Sequence, residues 1–418
     1  MKIESIIPPF VETNAPDEFG YWTDIKTNEK YGGQYISPLL LPNLKKVEEG
    51  FKKAMKDQQF LNKLHQDLLD YVGVNTPILY SEELTKEAGG LGKVGKIFLK
   101  RTDLHSDASH KPVNAYSSVS LAKHLGYKKV ITETGASMNA RAVAAAASKL
   151  GLEAEVHIGA VDAKKVSLNK DITELYGANI IVVHDSTATL LPAMASALRA
   201  WQNDPSAMYV VGSVAGPHPY PLMVRTFASV IGRIARKQFI DKTGKLPDTI
   251  WSVCGGGSNL LGMSYAFLED STEIFAIESA GKGIETGKHA ATITSGAPTA
   301  ILLGARASAL MNSDGQISES ETEASGLDFS GVGPEVTYLA KTGKIKFRAT
   351  TDFNAQKTFQ MLTRKAGLLC AIEPCYMIHA ALEEIKKRKD PSQTHLLHLC
   401  GSGEPNVARQ LQFKKDNE

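Results

Sequence analysis

Apolar residues recur at helical spacing from Pro42 to Val72, where Leu44, Val47, Phe51, Met55, Phe60, Leu64 and Leu68 mark one face. Asn75-Thr76-Pro77 breaks that pattern, and the stretch before Pro42 reads as a polar, proline-containing lead-in. Beyond the break, short β-branched runs alternate with longer helical ones. Strands are predicted at Lys96–Leu99, Lys129–Thr132, Glu155–Ile158, Asn179–Val183, Met208–Val211, Thr249–Val253, Ile274–Ile277 and Thr394–Leu399. Helices are predicted at Pro112–Leu125, Asn139–Leu150, Val166–Tyr176, Pro221–Ile240, Leu260–Leu268, Thr358–Ala366 and Cys375–Arg388. From Gly281 to Lys341 glycine is frequent and elements are few, which suggests a long functional loop region. Strands separated by helices imply βαβ units and an α/β fold with mostly parallel sheets. Such sheets bind ligands where strand carboxyl ends meet helix starts.

Composition narrows the class. The chain has 418 residues, 43% hydrophobic and 22% charged, as in an ordinary globular protein. A net charge of +2 points to no polyanionic partner such as nucleic acid. No run reaches the ~20 apolar residues of a membrane span, and the N-terminal segment lacks the apolar centre of an export signal. Four cysteines, Cys254, Cys370, Cys375 and Cys400, show no zinc spacing and read as reduced thiols of a cytoplasmic protein.

Four segments at strand ends carry candidate chemistry. Lys111 follows His110 at a loop-to-helix junction, where a cation opposes the helix dipole. Pro112 suits the first helical position and predicts an extended Lys111 aimed into a cleft. A desolvated lysine there can form a Schiff base and shuttle a proton, although a lone lysine at a helix start is also an ordinary surface residue. Gly255-Gly256-Gly257-Ser258-Asn259 reads as an anion-binding helix start or as a plain tight turn, and no Lys-Ser/Thr follows to make it a nucleotide loop. Glu133, in the run Glu133-Thr134-Gly135-Ala136-Ser137-Met138-Asn139, is a candidate acid/base beside amides that can clasp a carboxylate. Cys400, after the last strand, offers a small neutral group to a ring nitrogen. An aldehyde-binding lysine and a phosphate-binding glycine loop together suggest pyridoxal 5'-phosphate.

From about Tyr31 to Gly403 the chain resembles the tryptophan synthase β family, which are fold-type II pyridoxal-phosphate enzymes. The supporting runs are Gly32-Gly33-Gln34-Tyr35, Thr76-Pro77-Ile78-Leu79-Tyr80, Leu99 to Leu104, His110-Lys111, Ile131 to Ala136, Ala215 to Pro221, Gly255 to Asn259, Gly283 to His289 and Ser325 to Phe329. Gly-Pro-His-Pro-Tyr-Pro and Ile-Glu-Thr-Gly-Lys-His are the most specific of them. The resemblance implies two three-layer αβα domains: a lead-in over 1–73, an N-terminal domain over 74–220 with a mobile subdomain at about 126–212, and a C-terminal domain over 221–418.

The resemblance also implies roles. Lys111 carries the cofactor covalently and moves the substrate α-proton. Gly255, Gly256, Gly257, Ser258 and Asn259, with His110, bind the phosphate. Glu133 is the acid/base group, and Asp328 contacts the substrate β-hydroxyl. Amides from Thr134, Gly135, Ala136, Ser137, Met138 and Asn139 hold the carboxylate. Gly212, Ser213 and Glu373 lie near the ring, and Cys400 takes the place of a serine at its nitrogen. Carbonyls near Gly255, Phe329 and Gly331 would bind a monovalent cation. The implied reaction is β-replacement on L-serine or a similar amino acid with a nucleophile such as indole, in a homodimer. Two alternatives use the same scaffold: a dehydratase that releases pyruvate and ammonia, and a non-catalytic regulatory subunit.

The chain departs from the family around the substrates. The usual Gly-Ala-Gly-Gln-His-Gly loop appears as Gly135-Ala136-Ser137-Met138-Asn139-Ala140, which removes a glutamine donor and turns a cleft histidine into asparagine. Val113 displaces an asparagine after the lysine, and Lys165 stands for the arginine that pairs with Asp328. Leu191, followed by Pro192, replaces a lysine that docks an α subunit, so an α partner is doubtful. The family's closing Ser-Gly-Arg-Gly-Asp has become Cys400-Gly401-Ser402-Gly403-Glu404. These changes imply a diverged member with its cofactor chemistry retained.

Overall fold

The computed structural model describes residues 6–9, 12–135, 138–165, 167–185 and 187–417. Its centre is a six-stranded sheet in the order Lys346–Thr351, Glu273–Gly281, Thr249–Val253, Thr394–Leu399, Lys96–Arg101, Ile78–Tyr80. All neighbours run parallel except the edge strand Ile78–Tyr80. Alternation along the strands divides the side chains between two cores. Ile250, Ile274 and Leu396 enter one apolar cluster, and their successors Trp251, Phe275 and Leu397 enter another. Both faces are therefore covered, as a parallel sheet requires. Trp251 and Phe275, paired in register, stack at 4.1 Å with a 7° interplanar angle.

A second sheet, ordered Asn179–Val183, Glu153–Gly159, Lys129–Thr134, Met208–Tyr209, is wholly parallel. The helix Lys111–His124 packs against Met138–Leu150 and Tyr220–Ala228. It is buried from Pro112 to Val119, so its polar residues need internal partners. Asn114 Nδ2 donates to the Val211 carbonyl at 2.9 Å, and Ser117 Oγ to Val113 at 2.7 Å. The six-stranded sheet draws strands from both sides of residue 220, since Ile78–Tyr80 and Lys96–Arg101 join strands from beyond it. No described helix is long and apolar enough to cross a membrane.

Several expectations are corrected. The helix over Pro42–Val72 is two helices and a π-turn, Leu41–Ala54, Gln58–Asp67 and Leu68–Val72. Asp57 starts the second by accepting from the Gln59 and Phe60 amides at 2.9 and 3.1 Å. The helix over Pro221–Ile240 is interrupted at Ser229, whose Oγ donates to the Thr226 carbonyl. Lys111 is not extended but is itself the first helical residue, because the amide of His110 is tied to the Cys400 carbonyl one step earlier. The lead-in and the Gly281–Lys341 loop also hold structure. Strands Tyr21–Thr23 and Lys30–Gly32 join Ala305–Ser308 and Thr299–Leu302 in an antiparallel sheet, and Pro334–Lys341 is a helix. The tight hairpin between the last two strands turns at Leu303 and Gly304, both at positive φ. Leucine there concealed the turn from sequence reading.

The lead-in, the helix Tyr220–Ala228 and the helix Pro334–Lys341 meet at one buried ion pair. Arg225 Nε lies 3.1 Å from Glu335 Oε2, both side chains are fully buried, and Asn14 donates to Glu335 at 3.3 Å. The guanidinium also covers the Tyr265 ring at 4.0 Å. Glu335→Ala should destabilise the fold by roughly 3–5 kcal/mol, because it leaves a buried cation without its carboxylate. Urea unfolding monitored by tryptophan fluorescence checks this, and an unchanged midpoint would contradict it.

Candidate active site

Strand ends from both parallel sheets open on one cavity of about 390 Å³. Its wall contains His110, Lys111, Glu133, Thr134, Gly135, Met138, Asn139, Gly212, Ser213, Gly255 to Asn259, Asp328, Glu373 and Cys400. Residues more than 280 positions apart in the chain thus share one space. Phe329 lines it too, whereas Gly331 does not and is bridged to Ala309. Ala136 and Ser137 lie outside the described residues, and Lys165 ends the short helix Ala160–Lys165.

Lys111 is placed by a backbone clamp. Ser109 bridges to Gly401, the Ser402 amide donates to Ala108 at 2.9 Å, and the His110 amide donates to Cys400 at 3.1 Å. The amine therefore sits beside the end of the last strand. Burial pushes its pKa down, more than Glu373 and Cys400 raise it. Among the described residues no hydrogen bond or ion pair holds it. His110 Nδ1 lies 3.2 Å from the Cys400 carbonyl, so Nδ1 carries the proton and donates. Burial pushes this imidazole down to about 3, and it is neutral. The Cys400 thiol is also held neutral by burial, which raises its pKa well above the ordinary value.

The glycine run forms a tight cradle. A Cβ on Gly256 would lie 2.1 Å from Ser213 Oγ, and one on Gly257 would lie 2.4 Å from Val336 Cγ2. Gly257 has φ +111°, a conformation that favours glycine. Among the described residues the N–H groups of Gly255, Gly256 and Gly257 have no backbone partner, and those of Ser258 and Asn259 belong to a helix start.

Glu133 faces the cavity from the strand Lys129–Thr134. The Tyr209 hydroxyl donates to its carboxyl, and its Oε2 is buried without a partner. Burial outweighs the Tyr209 bond and raises the carboxyl to about 7. Asn139 ties this strand end down, its Nδ2 reaching Thr132 Oγ1 at 3.1 Å and the Glu133 carbonyl at 3.2 Å. A Cβ on Gly212 would meet Asn139 Oδ1 at 2.3 Å, so the asparagine packs directly on that glycine. Across the cavity, Asp328 Oδ1 accepts from Ser320 Oγ at 2.7 Å, and Glu373 Oε1 accepts from the Gly326 amide at 2.9 Å.

Sequence reasoning missed Tyr209, Ser320, Asn169, Leu190, Met194 and Arg409. Leu190 and Met194 belong to a helix, Leu190–Asn203, whose buried Ala193, Met194, Ala197 and Trp201 are spaced for one face and were legible as such. Ser320 sits in a uniform polar run, and Asn169 on a polar helix, with nothing in the sequence to single them out. No group of three metal-ligating side chains occurs among the described residues.

A family model described as pyridoxal-phosphate dependent enzyme matches residues 69–401. The tryptophan synthase beta chain of Shouchella clausii (strain KSM-K16) is 39% identical over 379 residues, covering 90% of this chain and 94% of that protein. The tryptophan synthase beta chain of Afipia carboxidovorans is 38% identical over 395 residues, 94% of each. Among solved structures, a threonine deaminase from T.th. superposes with a TM-score of 0.60 at 19% identity, covering 83% of this chain and 98% of its own. A pyridoxal 5'-phosphate-dependent aspartate racemase gives 0.62 at 15% identity, with 82% and 94% covered. These two establish likeness of fold.

Folding raises the Glu133 carboxyl from 4.5 to about 7, so the folded chain holds this proton more tightly than the unfolded one. The stabilisation is complete below about pH 4.5 and is lost as pH rises through about 7. Glu133→Gln has no such titration. The stability of the natural chain should therefore fall relative to that variant across this range, measured by denaturant unfolding at several pH values. A constant difference would contradict the burial of Glu133.

Proposed function

The chain belongs to the tryptophan synthase β family of pyridoxal-phosphate-dependent enzymes, and from that premise we propose that it condenses L-serine, or a similar β-substituted amino acid, with indole. One observation carries this reading: an unpaired, desolvated lysine and a carboxyl titrating near neutrality share the cavity with a side-chain-free glycine cradle. These residues suit a phosphorylated aldehyde. Any side chain on Gly256 would strike Ser213, so the loop must stay bare there, and the unclaimed amides suit an anion.

When bound, pyridoxal phosphate draws electrons from the amino-acid α-carbon, so that a β-substituent can leave and a nucleophile can add. The protein residues do the rest. Lys111, which burial biases toward the neutral amine, would hold the aldehyde carbon until the substrate amine displaces it, and its freed Nζ would then take the α-proton. Gly255 to Asn259 donate amides to the phosphate, flanked by His110. Thr134 to Asn139 orient the carboxylate. Glu133, protonated at neutral pH or just below it, gives its proton to the departing hydroxyl, and its carboxylate then takes one from the nucleophile. Its titration near 7 suits both duties. Asp328, oriented by Ser320, receives the β-hydroxyl. Gly212, Ser213 and Glu373 pack around the ring. Cys400, a neutral thiol, would face the ring nitrogen without giving it a proton, a partner that suits β-chemistry over transamination.

We further propose that the chain works as a homodimer with a monovalent cation near Gly255, Phe329 and Gly331. It gains little from an α subunit, because Leu191 offers no charge for docking.

With serine and indole, the holoenzyme should form tryptophan, and Lys111→Ala should abolish turnover. Adding a relative's α subunit should leave the rate within about twofold. Pyruvate as the main product would overturn the β-replacement reading, and so would full activity in the Lys111 variant. A strong rate rise on adding the α subunit would overturn the claim of independence.

A further inference from the structure

Lys111 and Glu133 are held by different sheets. The Lys111 loop is clamped to Cys400 and Gly401, just after the last strand of the six-stranded sheet, whereas Glu133 belongs to the strand Lys129–Thr134 of the four-stranded one. Chemistry that uses both groups depends on the distance between these two frames. The helix Lys111–His124 packs on the alanine-rich helix Met138–Leu150 and brings them together. Apolar contacts are non-directional, however, and alanine side chains raise only low ridges to fix the register of two helices.

Asp107 supplies a directional link. It lies four residues before Lys111, and its Oδ1 accepts from Arg141 Nε at 2.8 Å and from the Tyr176 hydroxyl at 3.3 Å. Arg141 is in the first turn of Met138–Leu150, two residues after Asn139, whose amide holds the Glu133 carbonyl. Tyr176 follows the helix Ser167–Leu175. The Asp107 and Arg141 side chains are 7% and 21% exposed, so their charge-assisted bond is better shielded than a surface pair. Neither residue lines the cavity. The backbone gives a second, independent sign of constraint. Asp107 and Ala108 are consecutive non-glycine residues at φ +53° and +51°. Aspartate visits that region readily, but alanine does not, and such a conformation persists where its surroundings over-determine it. Here the Ser402 amide holds the Ala108 carbonyl at 2.9 Å on one side, and Arg141 and Tyr176 hold the Asp107 carboxylate on the other.

We propose that Asp107 is a positioning residue, which acts through Arg141 and Tyr176 to set the separation of Glu133 from Lys111. It thereby governs the steps at the β-carbon, which need both groups, rather than proton removal at the α-carbon, which needs Lys111. This rests on the β-replacement reading and adds a residue to its machinery.

Asp107→Asn tolerates the same backbone and removes the charge. It should lower kcat for tryptophan formation by the holoenzyme by roughly tenfold or more, since a misplacement of about 1 Å can cost that much. Arg141→Gln should do the same, and the double variant should lose no more than either single one. Arg141→Lys, which keeps a cationic donor, should recover most of the rate. α-Hydrogen exchange of saturating L-alanine in deuterated water, which involves no β-leaving group, should stay within about twofold of the natural chain. In the chain without cofactor, Asp107→Asn should quicken amide hydrogen exchange in peptides from 105–111 and 138–150, read by mass spectrometry, and leave 249–264 unchanged. Full activity in Asp107→Asn, multiplying losses in the double variant or unaltered amide exchange would overturn the proposal. An equal loss of alanine exchange would overturn it too, since that marks general disruption. If the natural chain forms no tryptophan, the β-replacement reading falls, while the amide exchange still judges Asp107.

Discussion

A lysine amine is held without a partner at the start of a buried helix, and the rest of the site is arranged around it. Its charge would oppose the helix dipole and would have to be stripped of water. Both effects favour the neutral amine, which is the nucleophilic one. The clamp between residues 108–111 and 400–403 imposes this position, because it pulls the helix start against the end of the central sheet. Lys100 shows the opposite arrangement. That side chain is fully buried and pushed down to about 7, but its amine donates to the Thr76 carbonyl at 2.6 Å and to Gln238 at 2.9 Å. Lys100 is satisfied by structure, whereas Lys111 is left open to the cavity.

The same constraint sets the chemistry of the surroundings. Several titratable groups of the cavity are neutral or nearly so: His110 and Cys400 through burial, and Glu133 because its carboxyl titrates near 7. Their burial places the glycine amides in a setting of lower dielectric than water, where they hold an anion more strongly. Parallel sheets bring this about, since strand carboxyl ends all open on one side and helix starts supply the donors.

Much of this was legible in the sequence because it rests on residues with few alternative uses. Glycines at 255–257 and β-branched runs of fixed length each point to one backbone geometry. The alternating pattern gave the two parallel sheets. It did not give the antiparallel one, because its turn uses Leu303 at positive φ and its strands are only three or four residues long. The extended Lys111 followed from a local rule about residues before proline, and the backbone bond from His110 to Cys400, 290 residues away, overrode it. Asn169, Tyr209 and Ser320 act only through side chains brought close by the fold, and no spacing announces such contacts.

Borohydride reduction of the holoenzyme, followed by digestion and mass mapping, tests the central claim most directly, because it reports which amine bears the cofactor. The label should appear on Lys111 alone. Labelling of Lys100, the other buried lysine with a lowered pKa, or of any surface lysine in its place, would contradict the account.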